Sequence, residues 1–346
     1  MTPPRAAVLL VGGLGTRMHP LTLTRPKHLL PVGGVPVLDL QLRRLHEVGV
    51  SRVVLATARH AEQVAGHVAS HPVEGLDVLL SDEGTPLGTG GGLLAALEVL
   101  DAPDDEPVVV VNGDLLTGHD LRAQVAACSP GTDIVLHVRA VDDPTPFGTV
   151  DVAVDGRRVV DFREKVPGPP GTLVNAGTYV VRAGILRERA TGEEQSWERE
   201  ILPVLIADGA VVLAHRDDAW FADIGSPDAL LTATRAALDG TARPALPTDY
   251  DPRRAIDPDA VIDEGAQLEA STVGAGARVG GSALVRGSIL LADVRVGTGA
   301  VVVDSVLGEG VTVADGAVVR HRAIADGAHV PRGDTADGHD EGSSSP

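Results

Sequence analysis

Apolar residues first recur in short unbroken runs. Residues 6–11 read AAVLLV and end on Gly-Gly, the form of a buried strand feeding a tight turn. Comparable runs stand at 52–56 (RVVLA), 77–80 (DVLL), 108–111 (VVVV) and 134–138 (IVLHV). Between them the period lengthens. Leu38, Leu42, Leu45 and Val48 fall at helical spacing within 37–48, and 91–100 (GGLLAALEVL) runs apolar after its glycines. Strands alternating with helices predict an α/β layer fold with a Rossmann-like, mostly parallel sheet. Ligands of such sheets bind at the carboxyl ends of the strands.

The pattern changes near residue 240. GTARPALPTDYDPRR holds three prolines and no period, so 240–256 reads as a linker. Beyond it Val273, Val279, Val285 and Leu291 are spaced by six, as are Val296 and Val302, and again Leu307, Val313 and Val319. Small residues usually follow. This period predicts short parallel strands wound as a left-handed parallel β-helix of hexapeptide repeats, one face per hexapeptide. The domains are then 1–239, a linker 240–256, a β-helix 257–330 and a polar tail 331–346, expected to be disordered.

Composition narrows this picture. Aromatic residues are 2% of 346, so the core must be built from Ala, Val, Leu and Ile. The net charge is −19 with no Lys/Arg run, which argues against nucleic-acid binding. A polyanionic ligand must therefore be met locally. Cys128 is the one cysteine; a disulfide framework and a thiolate metal site are excluded, and a reducing cytoplasm fits. No apolar run is long enough for a signal peptide or a bilayer span.

The sharpest motif follows the first run: Gly12-Gly13-Leu14-Gly15-Thr16-Arg17, then Arg25-Pro26-Lys27. Glycines let backbone N–H groups approach phosphate oxygens. Arg17 can neutralise charge growing on a leaving pyrophosphate, and Lys27 adds a second cation on a stiff Pro-flanked segment. A Walker loop is excluded because no Lys-Ser/Thr follows, and a dinucleotide loop because Met18 replaces the third glycine.

The string GGLGTRMHPLTLTRPKHLLPV resembles the N-terminal signature of the sugar-1-phosphate nucleotidyltransferases, most of all the mannose-1-phosphate guanylyltransferase branch. TPLGTGGGL, VNGDLL, FGTV, DFREK, VNAGTYV, SWEREILP and WFADIGSP resemble the family's successive segments in its order. The resemblance implies transfer of a nucleotidyl group from an NTP, best guess GTP, to a sugar 1-phosphate, best guess mannose 1-phosphate, or to another sugar or cyclitol phosphate. It implies Mg²⁺ held by Asp114 and Asp223, two carboxylates expected at strand ends. Lys165 would grip the sugar phosphate. Gly148, Glu164 and Asn175 would line the sugar, and the loop Asp82–Thr89, with Gly88 and Thr89, would hold the base. Within it Glu83 is the candidate reader of guanine's adjacent N–H donors. Two departures stand out: His28 where relatives carry Pro, and Val166 after Glu164-Lys165 where they carry Pro at once.

Other polar groups read as structural. His67 and His71, four apart, read as a solvated helix face, and Asp104-Asp105-Glu106 and Asp142-Asp143 as solvated loops. Two other functions fit the residues less well. A non-catalytic regulatory homologue should lack Arg17, Lys27 or an Asp ligand, and all are present. An acyltransferase needs a catalytic His on the coils, and 257–319 contains none. The β-helix is expected to mediate homo-oligomer assembly or regulation.

Overall fold

The apolar runs become parallel strands because they are buried on both faces. Ala7, Val8 and Leu9 are fully buried in β1 (Ala6–Leu10), as a central strand of a covered parallel sheet requires. The structure, a computed structural model, describes residues 4–187 and 193–333. It divides into two units: one of residues up to Leu14 with Leu38–Phe221, the other of Gly15–Val37 with the chain from Ala222 on.

The first unit carries β2 (Arg52–Thr57), β3 (Asp77–Asp82), β4 (Pro107–Asn112) and β5 (Ile134–Val141) at the expected runs. It adds β6 (Gly148–Val152), β7 (Val159–Glu164), β8 (Thr172–Arg182) and β9 (Val212–Arg216). The sheet runs β7-β6-β8-β4-β1-β2-β3, with β5 also on β8 and β9 on β5. The block β4-β1-β2-β3 is parallel throughout. The insertion of β8 beside β4 is antiparallel, and β6 and β7 form an antiparallel pair. In β8 the register on β5 shifts between Asn175 and Tyr179, where Gly177 has φ 66°. That bulge breaks the alternation by which a strand is read in a sequence. Helices α1 (Val37–Glu47), α2 (Ala61–Ser70) and α3 (Gly88–Leu100) flank the parallel block. The last begins at Gly88 rather than at the expected Gly91, so the glycine run forms its first turn.

In the second unit, residues 261–330 form short parallel strands in three stacked sheets, a parallel β-helix. Paired positions lie 17 residues apart, so each coil takes two steps of six and one of five. This corrects one expectation: Leu290, not Leu291, stacks between Val273 and Leu307 in the core. The short step ends in a corner. Ala270, Gly287, Asp304 and His321 occupy that corner in successive coils, all with φ between 44° and 55°. One residue later a serine column runs up the interior. Ser288 N–H donates to Ser271 Oγ (3.0 Å), Ser305 N–H to Ser288 Oγ (3.1 Å), and Arg322 N–H to Ser305 Oγ (3.2 Å).

The stretch 240–256 is packed rather than free. Tyr250 is buried, and its hydroxyl donates to Gly33 O (3.0 Å); Arg243 donates to the carbonyls of Pro247, Thr248 and Tyr250. Of the polar tail expected at 331–346, residues 334–346 lie outside the described residues.

Candidate active site

In the first unit, β1 delivers Gly12 and Gly13 and β3 delivers the loop that follows Asp82. Glu83 does not point freely outward. One carboxylate oxygen accepts from Leu87 N–H (2.7 Å), closing the loop on itself. The other lies against two glycines: a Cβ on Gly12 would stand 3.2 Å from Oε1, and one on Gly92 only 2.4 Å. Half-burial raises the Glu83 pKa, the Leu87 N–H opposing.

The glycines from 88 on serve a second purpose. Gly88 has φ +73°, and a Cβ there would meet Gln195 O at 2.4 Å. Gly90 N–H donates to Gln195 O (2.8 Å), and Gln195 N–H to Leu87 O (2.8 Å). Segment 195–198 is thereby laced to the loop. Thr89 completes the lacing: its hydroxyl donates to Glu198 Oε2 (2.7 Å) and accepts from Trp197 N–H (3.0 Å). Trp197–Ile201 follows as a single π-helical turn, a form that recurs at functional sites.

Gly88, Thr89, Glu164, Lys165, Glu198 and Arg199 line one open cavity of about 590 Å³, together with residues 194–196 and Glu200. Two of the expected nucleotide-loop residues thus face two of the expected sugar-site residues across one space. Lys165 reaches it from the end of β7 with φ 54°, a left-handed backbone that a non-glycine residue adopts only where its surroundings hold it. Its Nζ is 3.9 Å from Glu164 Oε1, and the side chain is 56% exposed. Burial, with the nearby Glu198 charge, raises the Glu164 pKa. Gly148 pairs with Glu164 across β6 and β7, and a Cβ on it would meet Phe162 Cζ at 2.4 Å and Glu164 Oε2 at 2.7 Å.

Asn175 is buried and lies outside that cavity lining. Its amide donates to Tyr179 Oη (2.7 Å), and its carbonyl accepts from Gly177 N–H (2.9 Å), holding the β8 bulge. Tyr179 packs edge-on against Trp197 at 5.5 Å. Asp114 follows Asn112-Gly113 at the carboxyl end of β4 and is partly exposed. Asn112 Oδ1 is buried with no hydrogen-bond partner among the described residues.

The second unit holds the rest of the signature. Gly15, at φ 64°, caps a 3₁₀ turn Thr16–Met18, and Thr22 Oγ1 donates to Gly15 O (2.7 Å). Met18 and Leu21 are fully buried, which anchors the turn while Thr16 and Arg17 stay exposed. Arg17 and Asp223 converge on Gly225, where a Cβ would stand 2.7 Å from Arg17 Nη2 and 3.1 Å from Asp223 Oδ1. Pro26 opens the 3₁₀ turn Lys27–Leu29. Lys27 is partly exposed, while His28, the departure from the family pattern, is buried at 1%.

Asp114 in the first unit and Asp223 in the second are each a partly exposed carboxylate at a strand end, the hard-oxygen donor type that a divalent cation takes. Among the described residues no group of three or more His, Cys, Asp or Glu is disposed to hold a metal ion by itself.

Sequence reasoning missed Gln195, Glu198 and Arg199. SWEREILP stood out as a segment, yet only the tertiary lacing shows which of its side chains face the cavity. It also missed a cluster of buried His119 and His137 with half-buried His215. The first two rings stack at 3.9 Å. His67 is not a solvated face: it bonds Asp39 Oδ1 (2.7 Å), is 14% exposed, and stacks on His71 at 4.4 Å.

The chain matches the family model described as Nucleotidyl transferase over residues 6–240. It belongs to the nucleotidyl transferase family. The model described as GMPPB C-terminal domain matches residues 241–332. Among curated relatives, the mannose-1-phosphate guanylyltransferase of Mycobacterium tuberculosis is 34% identical over 297 residues, covering 85% of this chain and 81% of that protein. The mannose-1-phosphate guanylyltransferase catalytic subunit beta of Drosophila melanogaster is 31% identical over 268 residues, covering 75% and 72%. A crystal structure of HddC from Yersinia pseudotuberculosis complexed with GMP-PN is 29% identical with a TM-score of 0.57, covering 66% of this chain and 98% of that one. This nucleotidyltransferase is therefore a member of the sugar-1-phosphate nucleotidyltransferases. Among its described residues no helix is long and apolar enough to cross a membrane.

Proposed function

We propose that this nucleotidyltransferase transfers a guanylyl group from GTP to mannose 1-phosphate, giving GDP-mannose and pyrophosphate. The observation that carries the reading is the cavity in which Lys165 and Glu164 face the Gly88–Thr89 loop. A cation beside a carboxylate acceptor suits a polyol that carries a phosphate. The choice of guanine and mannose rests on the names of the relatives.

A phosphate oxygen of the sugar 1-phosphate attacks the α-phosphorus of GTP. The new P–O bond forms as the bond to the β-phosphate breaks, and the electron pair leaves on pyrophosphate. Such transfers need positioning and charge stabilisation more than covalent help. Lys165 holds the sugar phosphate, and Glu164 with the backbone at Gly148 orients the sugar hydroxyls. Asn175 supports that wall. Gly12, Gly13, Gly15 and Thr16 offer backbone N–H groups to the triphosphate, Arg17 takes the charge of the leaving pyrophosphate, and Lys27 serves the reacting phosphates. Glu83 reads the base while bracing its own loop, and Gly88 and Thr89 bound the base site. Mg²⁺ on Asp114 and Asp223 would supply polarisation of the α-phosphate. We further take the enzyme to act in the cytoplasm and to assemble with copies of itself through the β-helix.

The test is pyrophosphate release with Mg²⁺ across the four NTPs paired with a panel of sugar 1-phosphates. Release that requires GTP and mannose 1-phosphate together is expected. Release with a different pair replaces the named substrates; none with any pair overturns the proposal.

A further inference from the structure

The segment that carries Lys27 is tied to the far coils of the β-helix. Arg25 Nη2 bonds Asp326 Oδ2 (2.6 Å) and Glu309 Oε2 (3.0 Å), and Thr24 Oγ1 donates to the same Asp326 oxygen (2.5 Å). Arg25 and Asp326 are 21% and 20% exposed, so water screens this pair only partly. Burial pushes the Asp326 pKa up, but its hydrogen bonds from Thr24, Arg25 and Glu309 N–H outweigh that and hold it down. Two residues from one short loop and two from one end of the coils thus share a single carboxylate-centred clamp.

The coils supply a matched internal comparison. Asp326 Oδ1 accepts from Glu309 N–H (2.8 Å), and Asp315 Oδ1 accepts from Thr298 N–H in the same way (2.8 Å). Each aspartate covers a glycine of the preceding coil: a Cβ on Gly308 would be 2.5 Å from Asp326 Oδ1, and one on Gly297 2.6 Å from Asp315 Oδ1. Both therefore bind coil to coil. Only Asp326 turns its second oxygen to Thr24 and Arg25, a contact that adds nothing to coil stacking.

We propose that Asp326 and Glu309 are positioning residues for the transfer reaction. Through Arg25 they fix the Arg25-Pro26-Lys27 segment, so that the β-helix sets where Lys27 stands. The proposal rests on the role given above to Lys27. A misplacement of about 1 Å in such a group can cost roughly a hundredfold in rate, and a loosened clamp allows displacements of that order.

The experiment compares the full-length wild type with Asp326→Asn, Arg25→Gln, their double variant, Arg25→Lys and the control Asp315→Asn. Steady-state kinetics are read by pyrophosphate release. Hydrogen exchange of residues 15–37 is followed in parallel. Asp326→Asn and Arg25→Gln are each expected to lower kcat by about ten- to a hundredfold with KM for nucleotide changed by less than about threefold. The double variant should lose no more than either single variant. Arg25→Lys should recover most of the rate, and Asp315→Asn should behave as wild type. Exchange over 15–37 should rise in Asp326→Asn and not in Asp315→Asn. Equal losses in Asp315→Asn and Asp326→Asn, or fully additive losses in the double variant, overturn the clamp. If the wild type releases no pyrophosphate with any substrate pair, the reading of the function fails; unchanged exchange over 15–37 in Asp326→Asn would then overturn the clamp independently.

Discussion

Replacing Gly88 by Ala separates two costs that glycine avoids. Gly84 and Gly88 sit in one loop with similar left-handed backbones, φ +63° and +73°. An alanine in that conformation costs about 1–2 kcal/mol. At Gly84 nothing lies within 4 Å of the new methyl, so this is the whole cost. At Gly88 the methyl would stand 2.4 Å from Gln195 O, a backbone atom fixed by Gly90 N–H. Carbon and oxygen must separate by roughly a further 1 Å to reach ordinary contact. That shift strains or breaks the bonds from Gly90 N–H to Gln195 O and from Gln195 N–H to Leu87 O, each worth about 1 kcal/mol net. Gly88→Ala should thus destabilise the first unit by about 3–4 kcal/mol and Gly84→Ala by about 1–2. Urea unfolding followed by tryptophan fluorescence reads this directly. The two tryptophans, Trp197 and Trp220, both belong to the first unit, and Trp197 is fully buried next to the affected segment at Gln195. With a slope near 1–3 kcal/mol/M, the midpoint of Gly88→Ala should fall by about 1 M more than that of Gly84→Ala. Because Thr89 and Glu198 move with the lacing, KM for the sugar phosphate should rise in Gly88→Ala as well. Equal midpoints for the two variants would refute the argument.

Two other outcomes are expected. Burial, and for His119 also the His137 charge, pushes the stacked pair down to about 3 for His119 and about 4 for His137. The unfolded chain therefore binds protons that the folded one refuses. Stability is full above the ordinary histidine pKa of about 6.5 and is lost as pH falls below it. The loss between about pH 7 and 5 is about 2 kcal/mol per buried histidine; urea midpoints at the two pH values check it, and His137→Gln should reduce it. In the β-helix, Ser288→Ala removes the acceptor for the buried Ser305 N–H, at a cost of about 1–3 kcal/mol. Thermal unfolding by circular dichroism should show a lower transition for the coils, and an unchanged transition would exclude the serine column as a stabilising device.

The sequence by itself determined the parallel block β4-β1-β2-β3, because strands buried on both faces are written as unbroken apolar runs such as AAVLLV and VVVV. It determined the coil period nearly as well, since the strand positions that stack in the core must be aliphatic; only the five-residue step, which brings Leu290 inward, escaped a strict count of six. It also singled out Arg17 and Lys27, charges on a glycine- and proline-rich segment that has a chemical reading without coordinates, whereas Asp114, Lys165 and Asp223 were singled out only by the family resemblance. Tertiary structure decided the rest. That residues 15–37 belong with the coils, through Arg25, Glu309 and Asp326, depends on contacts some 300 residues apart in sequence. That Glu83 turns back on Leu87, that Asn175 braces a bulge, and that Glu198 hangs from Thr89 are hydrogen-bond choices among several partners of equal local plausibility. A sequence lists the donors and acceptors, but only the packed chain brings each donor within 3 Å of one acceptor and hides the others.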